Sequence, residues 1–293
     1  MTLKQTLYQV REVLASHNIM DARLESELLL RQVLRISQVE LYQDLDCQLS
    51  PKEEEDFGRL IKRRLGGEPT AYITGHREFY GLDFYVDRRV LIPRPESELL
   101  VEKTLCLAQN HPVSTIADIG TGCGAIAISL ALNLPQAKIY AIDISAPALE
   151  VARFNCQKHG VADRICLLAG DMLDPLPESV DLIIANLPYV RELEVSQTGL
   201  ADFEPQLALN GGWDGLGKIC RLCRGVNDKL RPEGYLLLEI GQGQSGDVAG
   251  FLPGLFPSAE IEITPDLSGI DRVVSLNLAA ATSRELESPC EVT

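Results

Sequence analysis

Residues 185–190 read ANLPYV and follow the apolar run VDLII. An asparagine and a proline after a strand are ordinary turn punctuation, and alone they stop a ladder and do no more. The same residue types also suit the methylation of a planar nitrogen, whose delocalised lone pair must be presented without a strong base. The side-chain carbonyl of Asn186 and a following backbone carbonyl can accept both N–H bonds of an amide or aryl amine. Tyr189 can stack on the planar group, and Pro188 can stiffen the turn that holds the acceptors. Such a displacement runs on positioning, so no metal is expected.

A second stretch, ADIGTGCGAIAISLA (117–131), reads as a strand ending at Asp118–Gly120, a glycine-rich turn, and an apolar helix from about Ala125. Glycines let backbone approach a ligand closely, and a helix N-terminus favours polar or anionic groups. The strand in YAID ends at Asp143, where a carboxylate can accept from both hydroxyls of a ribose. Gly120, Gly122 and Ala125 also fit the dinucleotide fingerprint, so a nucleoside cofactor is expected, with its identity open between NAD and S-adenosylmethionine. No second nucleotide-binding half follows. Asp171, after the next strand, lies where it can accept from an exocyclic amine or cap a helix, and Met172 offers apolar contact to a ring. His17, His76, His111 and His159 sit in polar helical or loop contexts and read as surface residues.

Positioning these groups requires a framework. STIADIG, AKIYAID, DRICLLAGD, VDLIIAN and GYLLLEIG are strand-length apolar runs separated by helical stretches, the pattern of a parallel sheet covered on both faces. IEITPD and RVVSLNL follow as an antiparallel edge pair. Before them, Leu3, Leu7, Val10 and Leu14, then Leu24, Leu28 and Val33, recur at helical spacing, and Ser50-Pro51 before KEEEDF marks a helix start. Between them, GGEPTAYITGHREFYGLDFYVDRRVLIPRP alternates aromatics with glycine turns, as a hairpin does. The expected organisation is a helical domain over 1–68, a β-hairpin connector over 69–95, a catalytic domain over 96–279 and a disordered tail over 280–293.

Composition narrows the class. A chain of 293 residues with 45% hydrophobic content can bury a large core, and no run approaches a membrane span. The N-terminal stretch MTLKQTLYQVREVL is too charged for a signal peptide. Eight scattered cysteines without ligand spacing point to reduced thiols in a cytoplasm, and Cys220 and Cys223 read as two residues of one helix. A net charge of −15 disfavours a protein that binds by neutralising phosphates.

With these residues in view, the chain resembles the class I S-adenosylmethionine-dependent methyltransferases, and within them the HemK/PrmC family of release-factor glutamine N5-methyltransferases. The likeness extends from DARLESELLL through RRLGGEPTAYITGHREFYGLDFYV, LIPRPESE, DIGTGCGAIAISLA, ANLPYV, FEPQLALNGGWDGL and LLLEIG to PDLSGIDRVV. It implies a Rossmann-like α/β fold with a mostly parallel seven-stranded sheet and a small N-terminal helical domain that binds substrate. It implies methyl transfer from S-adenosyl-L-methionine, leaving S-adenosyl-L-homocysteine, to the glutamine of the GGQ motif in class 1 peptide chain release factors. Asn186, Pro188 and Tyr189 match the catalytic tetrapeptide, with Leu187 in place of its usual first proline. Asp118, Gly120, Thr121, Gly122, Cys123, Gly124, Asp143, Asp171, Met172 and Asn186 fall at cofactor positions, Met172 where an aromatic ring is common. Asn186 to Tyr189, with Arg94 and Glu96, are the expected substrate-binding residues. A cytoplasmic monomer with a protein substrate, no nucleic acid and no membrane is expected.

The main competing reading is an adenine-N6 methyltransferase acting on nucleic acid, since NLPY suits an exocyclic amine equally well. It would be expected to bring a basic face or an added nucleic-acid module, and the net charge of −15 speaks against it. A nicotinamide oxidoreductase would leave NLPY without a role, as would a protein that only binds a cofactor.

Overall fold

The computed structural model describes residues 1–196 and 202–278. They form two compact units, Met1–Arg77 with Tyr85–Arg88, and Glu78–Phe84 with the described part of Arg89–Thr293. The tail expected over 280–293 lies outside the described residues.

The first unit is helical: α1 (Leu3–Ser16), α2 (Ala22–Leu34), α3 (Gln38–Gln43), α4 (Pro51–Leu65) and the short α5 (Thr70–Thr74). Thr2, Ser37 and Ser50 each start a helix with a reciprocal capping box, satisfying amide donors that the first turn leaves open. Leu29, Leu30, Leu41, Phe57, Ile61 and Ile73 form its core. Helix α2 buries Leu29 and Leu30 and leaves Leu24 exposed, because three consecutive leucines at 28–30 permit more than one apolar face. Within the stretch read as a hairpin, residues 70–74 are instead helical. Pro69 starts that turn, and Gly75 ends it in the left-handed conformation at φ +75°. The hairpin itself is β1 (His76–Phe79) and β2 (Leu82–Tyr85).

The second unit is built on β3 (Thr115–Ile119), β4 (Lys138–Asp143), β5 (Ile165–Ala169), β6 (Val180–Ala185), β7 (Leu230–Glu239), β8 (Glu260–Pro265) and β9 (Asp271–Asn277). They form one seven-stranded sheet in the order β5-β4-β3-β6-β7-β9-β8. All neighbours pair in parallel except β9, which runs antiparallel to both β7 and β8. The crossovers are α7 (Ala125–Asn133), α8 (Ala146–Lys158) and α11 (Gly217–Gly225), with α6 (Glu98–Asn110) before the sheet, α12 (Ser245–Leu255) after β7, and the single turns α9 (Glu192–Val195) and α10 (Gln206–Leu209). Strands β3, β6 and β7 bury both faces, which is why their sequences read as unbroken apolar runs. Cys223 is buried on α11, and that burial raises its thiol to about 12, so it packs as a small apolar group.

The chain lays down β3, moves outward to β4 and β5, then returns to place β6 on the other side of β3. At such a switch point the loops after β3 and β6 diverge and leave a crevice at the carboxyl end of the sheet. At the opposite end, Asp181 staples β6 to the start of β3, accepting from the backbone and hydroxyls of Ser114 and Thr115 and from Arg231.

Burial pushes the Asp181 carboxyl up, but the bonds from Ser114, Arg231 and Thr115 outweigh it and hold its pKa at about 2. A group whose folded pKa lies below its unfolded value contributes its stability above that unfolded value and loses it as pH falls. Asp181 therefore contributes about 2 kcal/mol near neutral pH, lost between roughly pH 4 and pH 2. In urea titrations across that window, Asp181→Asn is expected to show a shallower fall in stability than the unaltered protein; parallel curves would contradict this.

Candidate active site

Strand β3 delivers Gly120 and β6 delivers Asn186. The parallel register pairs Ile119 with Ala185, so the next residue of each strand emerges at the same level of the crevice. Gly120 has φ +75°, and a Cβ there would sit 3.3 Å from Leu187 Cδ2 and 3.6 Å from the Asn186 carbonyl oxygen. The glycine turn and the tetrapeptide are packed directly on each other. Leu187 is buried in the sheet core and anchors the turn by packing.

The glycine turn is supported from below. Gly120 and Thr121 donate their amides to the Ile142 carbonyl, and Thr121 Oγ1 donates to Asp118 Oδ2 at 2.6 Å. Burial raises the Asp118 carboxyl to about 6 against the Thr121 bond. Asn155 Nδ2 holds the Cys123 carbonyl at 2.9 Å, and Gly124 meets Ile128 and Ala152 closely enough to need its missing side chain. Of the sequence-predicted cofactor residues, Asp118, Thr121, Cys123 and Gly124 shape the turn, whereas Gly120, Gly122, Asp143, Asp171, Met172 and Asn186 line the cavity above it. Asp143 holds the turn from the β4 side, accepting from Gly122 N at 2.9 Å and Ser145 N at 2.8 Å. Burial raises its pKa against those two bonds. Asp171 pairs with Arg221 at 2.7 Å, and Met172 adopts φ +50° beside it.

Sequence reasoning missed several lining residues, among them Ile144, Ser145, Leu207 and Lys218. Ile144 is 54% exposed, an apolar side chain left open directly after Asp143. A glycine turn with room beside Gly122, a carboxylate at the next strand end and an open apolar side chain suit the adenosine of S-adenosylmethionine. Among the described residues, no cluster of three or more His, Cys, Asp or Glu could hold a metal, and no helix is long and apolar enough to cross a membrane.

A second, smaller cavity shares Leu91, Asn186, Leu187, Pro188 and Ala208 with the first and adds Arg94, Tyr189, Val190 and Leu209. The tetrapeptide is thus the wall between two chambers. Asn186 Nδ2 donates to Ser97 Oγ at 2.8 Å. Neither Asn186 Oδ1 nor the Leu187 carbonyl accepts a hydrogen bond among the described residues. Two adjacent acceptors therefore stand open at the wall. Tyr189 donates its hydroxyl to Glu239 Oε1 at 3.2 Å, and its own pKa is raised by burial and by that carboxyl. Arg94 is turned to Glu204, with Nη2 to Oε2 at 2.5 Å, and Glu204 also accepts from Ile92 N, which ties the IPRPE segment to the loop before α10. Glu96 is exposed on the same segment, where its charge acts on Tyr189.

Beyond Tyr189 the turn is clamped by residues to which sequence reasoning gave no role. Gln244 Nε2 holds the Tyr189 carbonyl at 3.1 Å. A Cβ on Gly211 would lie 2.6 Å from the Pro188 carbonyl and 2.8 Å from Tyr189 Cα, and one on Gly215 only 2.4 Å from the Tyr189 carbonyl. The GG-x-DG spacing was the available signal. Gly211→Ala is expected to destabilise the protein by about 1–3 kcal/mol through overpacking, because its neighbours are backbone and cannot swing away. Gly246→Ala, with nothing within 4 Å, serves as the control in the same urea denaturation series. Equal effects at the two positions would refute the clamp.

Comparison with known proteins places the two units in described domain families. Residues 5–75 match the PrmC N-terminal domain and residues 95–208 the methyltransferase small domain. A release factor glutamine methyltransferase of Moorella thermoacetica is 42% identical, the match covering 93% of this chain and 97% of that protein. One from Geobacter sulfurreducens is 37% identical, over 93% and 95% of the two chains. Among solved structures, the hMettl16 catalytic domain in complex with MAT2A 3'UTR hairpin 6 is 15% identical with a TM-score of 0.53, over 73% of this chain and 79% of that one, a likeness of fold alone. Conserved length, shared domains and identity well above what fold alone explains place the chain in the release factor glutamine methyltransferase family.

Proposed function

We propose that this protein transfers a methyl group from S-adenosyl-L-methionine to the side-chain amide nitrogen, N5, of the glutamine in the GGQ motif of class 1 peptide chain release factors. The observation that carries the reading is the pair of open acceptors, Asn186 Oδ1 and the Leu187 carbonyl, on the wall between the two cavities. A primary amide has two N–H donors in one plane, and two adjacent acceptors fix both that plane and the face its nitrogen presents.

Bound in the larger cavity, S-adenosylmethionine supplies an electrophilic methyl on a sulfonium that leaves without acid assistance. Asp143 would accept from the ribose hydroxyls, Ile144 and Met172 would cover the adenine, and Gly120 and Gly122 would let the chain approach closely. Asn186 and the Leu187 carbonyl would hold the glutamine amide in the smaller cavity, with the Tyr189 ring against it. As the nitrogen bonds to the methyl and the methyl–sulfur bond breaks to leave a neutral thioether, its N–H groups become more acidic and better donors, and one of those protons is then lost to water. The same two acceptors then bind the transition state more tightly than the ground state, which is what raises kcat. Arg94, committed to Glu204, would frame the pocket. The N-terminal helical unit, which exposes Tyr8, Met20 and Leu24, would contribute grip on the release factor. The protein is read as a cytoplasmic monomer.

Adenine-N6 methylation of nucleic acid would use the same acceptors, but a net charge of −15 and the names of the relatives favour the protein substrate. The direct experiment incubates the protein with methyl-labelled S-adenosylmethionine and a class 1 release factor and maps the label by peptide mass spectrometry. Label on the GGQ glutamine is the expected result, and label elsewhere, or on RNA alone, would overturn the assignment. Asn186→Ala is expected to lower kcat about a hundredfold while cofactor Kd, measured by calorimetry, stays within about twofold. Asp143→Ala should do the reverse, raising cofactor Kd roughly tenfold or more through loss of charged hydrogen bonds to the ribose.

A further inference from the structure

The chain's single tryptophan, Trp213, is 80% exposed. An indole left in water forgoes a large burial energy, yet the backbone around this one is firmly held. Gly211 N donates to the Val190 carbonyl at 2.9 Å and Gly212 N to Asn210 Oδ1 at 2.8 Å, while the Gly212 carbonyl accepts from Glu192 N at 2.9 Å. Past the tryptophan, Leu216 N donates to Asp214 Oδ1 at 2.9 Å and Gly217 N to the Gly211 carbonyl at 3.0 Å. Gly211 and Gly215 also rest on the backbone of Pro188 and Tyr189. Trp213 is displayed from a fixed loop.

Two neighbouring turns add to it. Helix α9 buries Val195 and presents Leu193, 71% exposed, directly after the Glu192 amide that is bonded to Gly212. Turn α10 buries Leu209 and leaves Leu207 half exposed. These three large apolar side chains stand on segments 190–193 and 207–213, and Val190, Ala208 and Leu209 of the same segments line the smaller cavity. The apolar rim is therefore continuous with the wall of the chamber assigned above to the glutamine amide. Glu192, Glu194 and Asp214 are exposed on these segments too, with Arg191 paired to Glu194 at 3.8 Å, so the rim is acidic. In the proposed reaction the glutamine enters that chamber behind two glycines, which have no side chains to bury. Affinity must then come from residues beyond the motif, and a rigid aromatic gives contact area at little entropic cost.

We propose that Trp213, with Leu193 and Leu207, is the docking surface for the part of the release factor that flanks its GGQ motif, and that this part is apolar and edged by Lys or Arg. Trp213 is the anchor, since it offers the largest area and the firmest support. The loop that carries it is the one packed on Pro188 and Tyr189, so a partner seated on the indole is held in register with the tetrapeptide. The inference rests on the methyl-transfer reading above.

The test uses the full chain. Methyl transfer by the unaltered protein to the GGQ glutamine is measured first, and its absence would overturn the functional reading and this inference with it. Given that transfer, Trp213→Ala should raise the KM for the release factor roughly tenfold or more, with kcat and cofactor Kd within about twofold. Trp213→Phe should recover most of that loss, because it restores an aromatic face. Leu132→Ser, at an exposed position on the last turn of α7 and so away from the carboxyl end of the sheet, is the control and should leave KM unchanged. A readout independent of turnover comes from the single tryptophan: labelled with 5-fluorotryptophan, the protein gives one fluorine resonance, which should shift or broaden when unlabelled release factor is added. A KM within twofold in Trp213→Ala, a loss confined to kcat, an equal loss in Leu132→Ser, or a fluorine resonance unmoved at saturating release factor would each overturn the docking surface while leaving the functional reading intact.

Discussion

The parallel pairing of β3 with β6 is the constraint on which the site depends. Its register, Ile119 opposite Ala185, brings the glycine turn and the asparagine tetrapeptide out of the sheet side by side. Every later feature is a way of keeping those two loop starts in contact. Gly120 lacks a side chain where Leu187 presses in, and Leu187 is buried in the sheet core beneath the loops. A slip of β6 by one residue along this pair would turn its side chains to the opposite face of the sheet and send Asn186 into the wrong layer.

Around that junction the protein keeps ionisable groups in places where their burial is costly. Asp118, Glu204 and Glu239 are each buried, and each has its pKa raised by that burial. All three sit against the site's loops rather than in the sheet's middle: Asp118 under the glycine turn, Glu204 against Arg94, Glu239 against Tyr189. Loops have few backbone partners of their own, so side-chain bonds from fixed points on the scaffold supply the rigidity that positioning chemistry requires. Glycines complete the arrangement. Gly211 and Gly215 let one loop lie against the backbone of another, where any side chain would force them apart.

Much of this was legible in the sequence where local chemistry sufficed. The apolar runs gave the strands, the capping residues at Ser50-Pro51 gave a helix start, and the final antiparallel pair was readable from its spacing. Local pattern misled where it was degenerate. The leucine run at 28–30 allowed more than one buried face for α2, and the aromatic alternation near residue 70 hid a helical turn bounded by Pro69 and Gly75.

The sequence by itself determined the chemical vocabulary of this protein: the glycine turn, Asp143, the Asn-Leu-Pro-Tyr turn and the order of strands that must carry them. These are local features, set by residue type and by spacing along one segment. Only the tertiary structure decided which partners those groups have. Ser97, Glu204, Gly211, Gln244 and Glu239 reach the tetrapeptide or its pocket from segments far away in the chain. No periodicity announces such a partnership. A lone glutamate ending the apolar run of β7 is only an anomaly in sequence, and it acquires a partner when the folded sheet places it, buried, beside the hydroxyl of Tyr189.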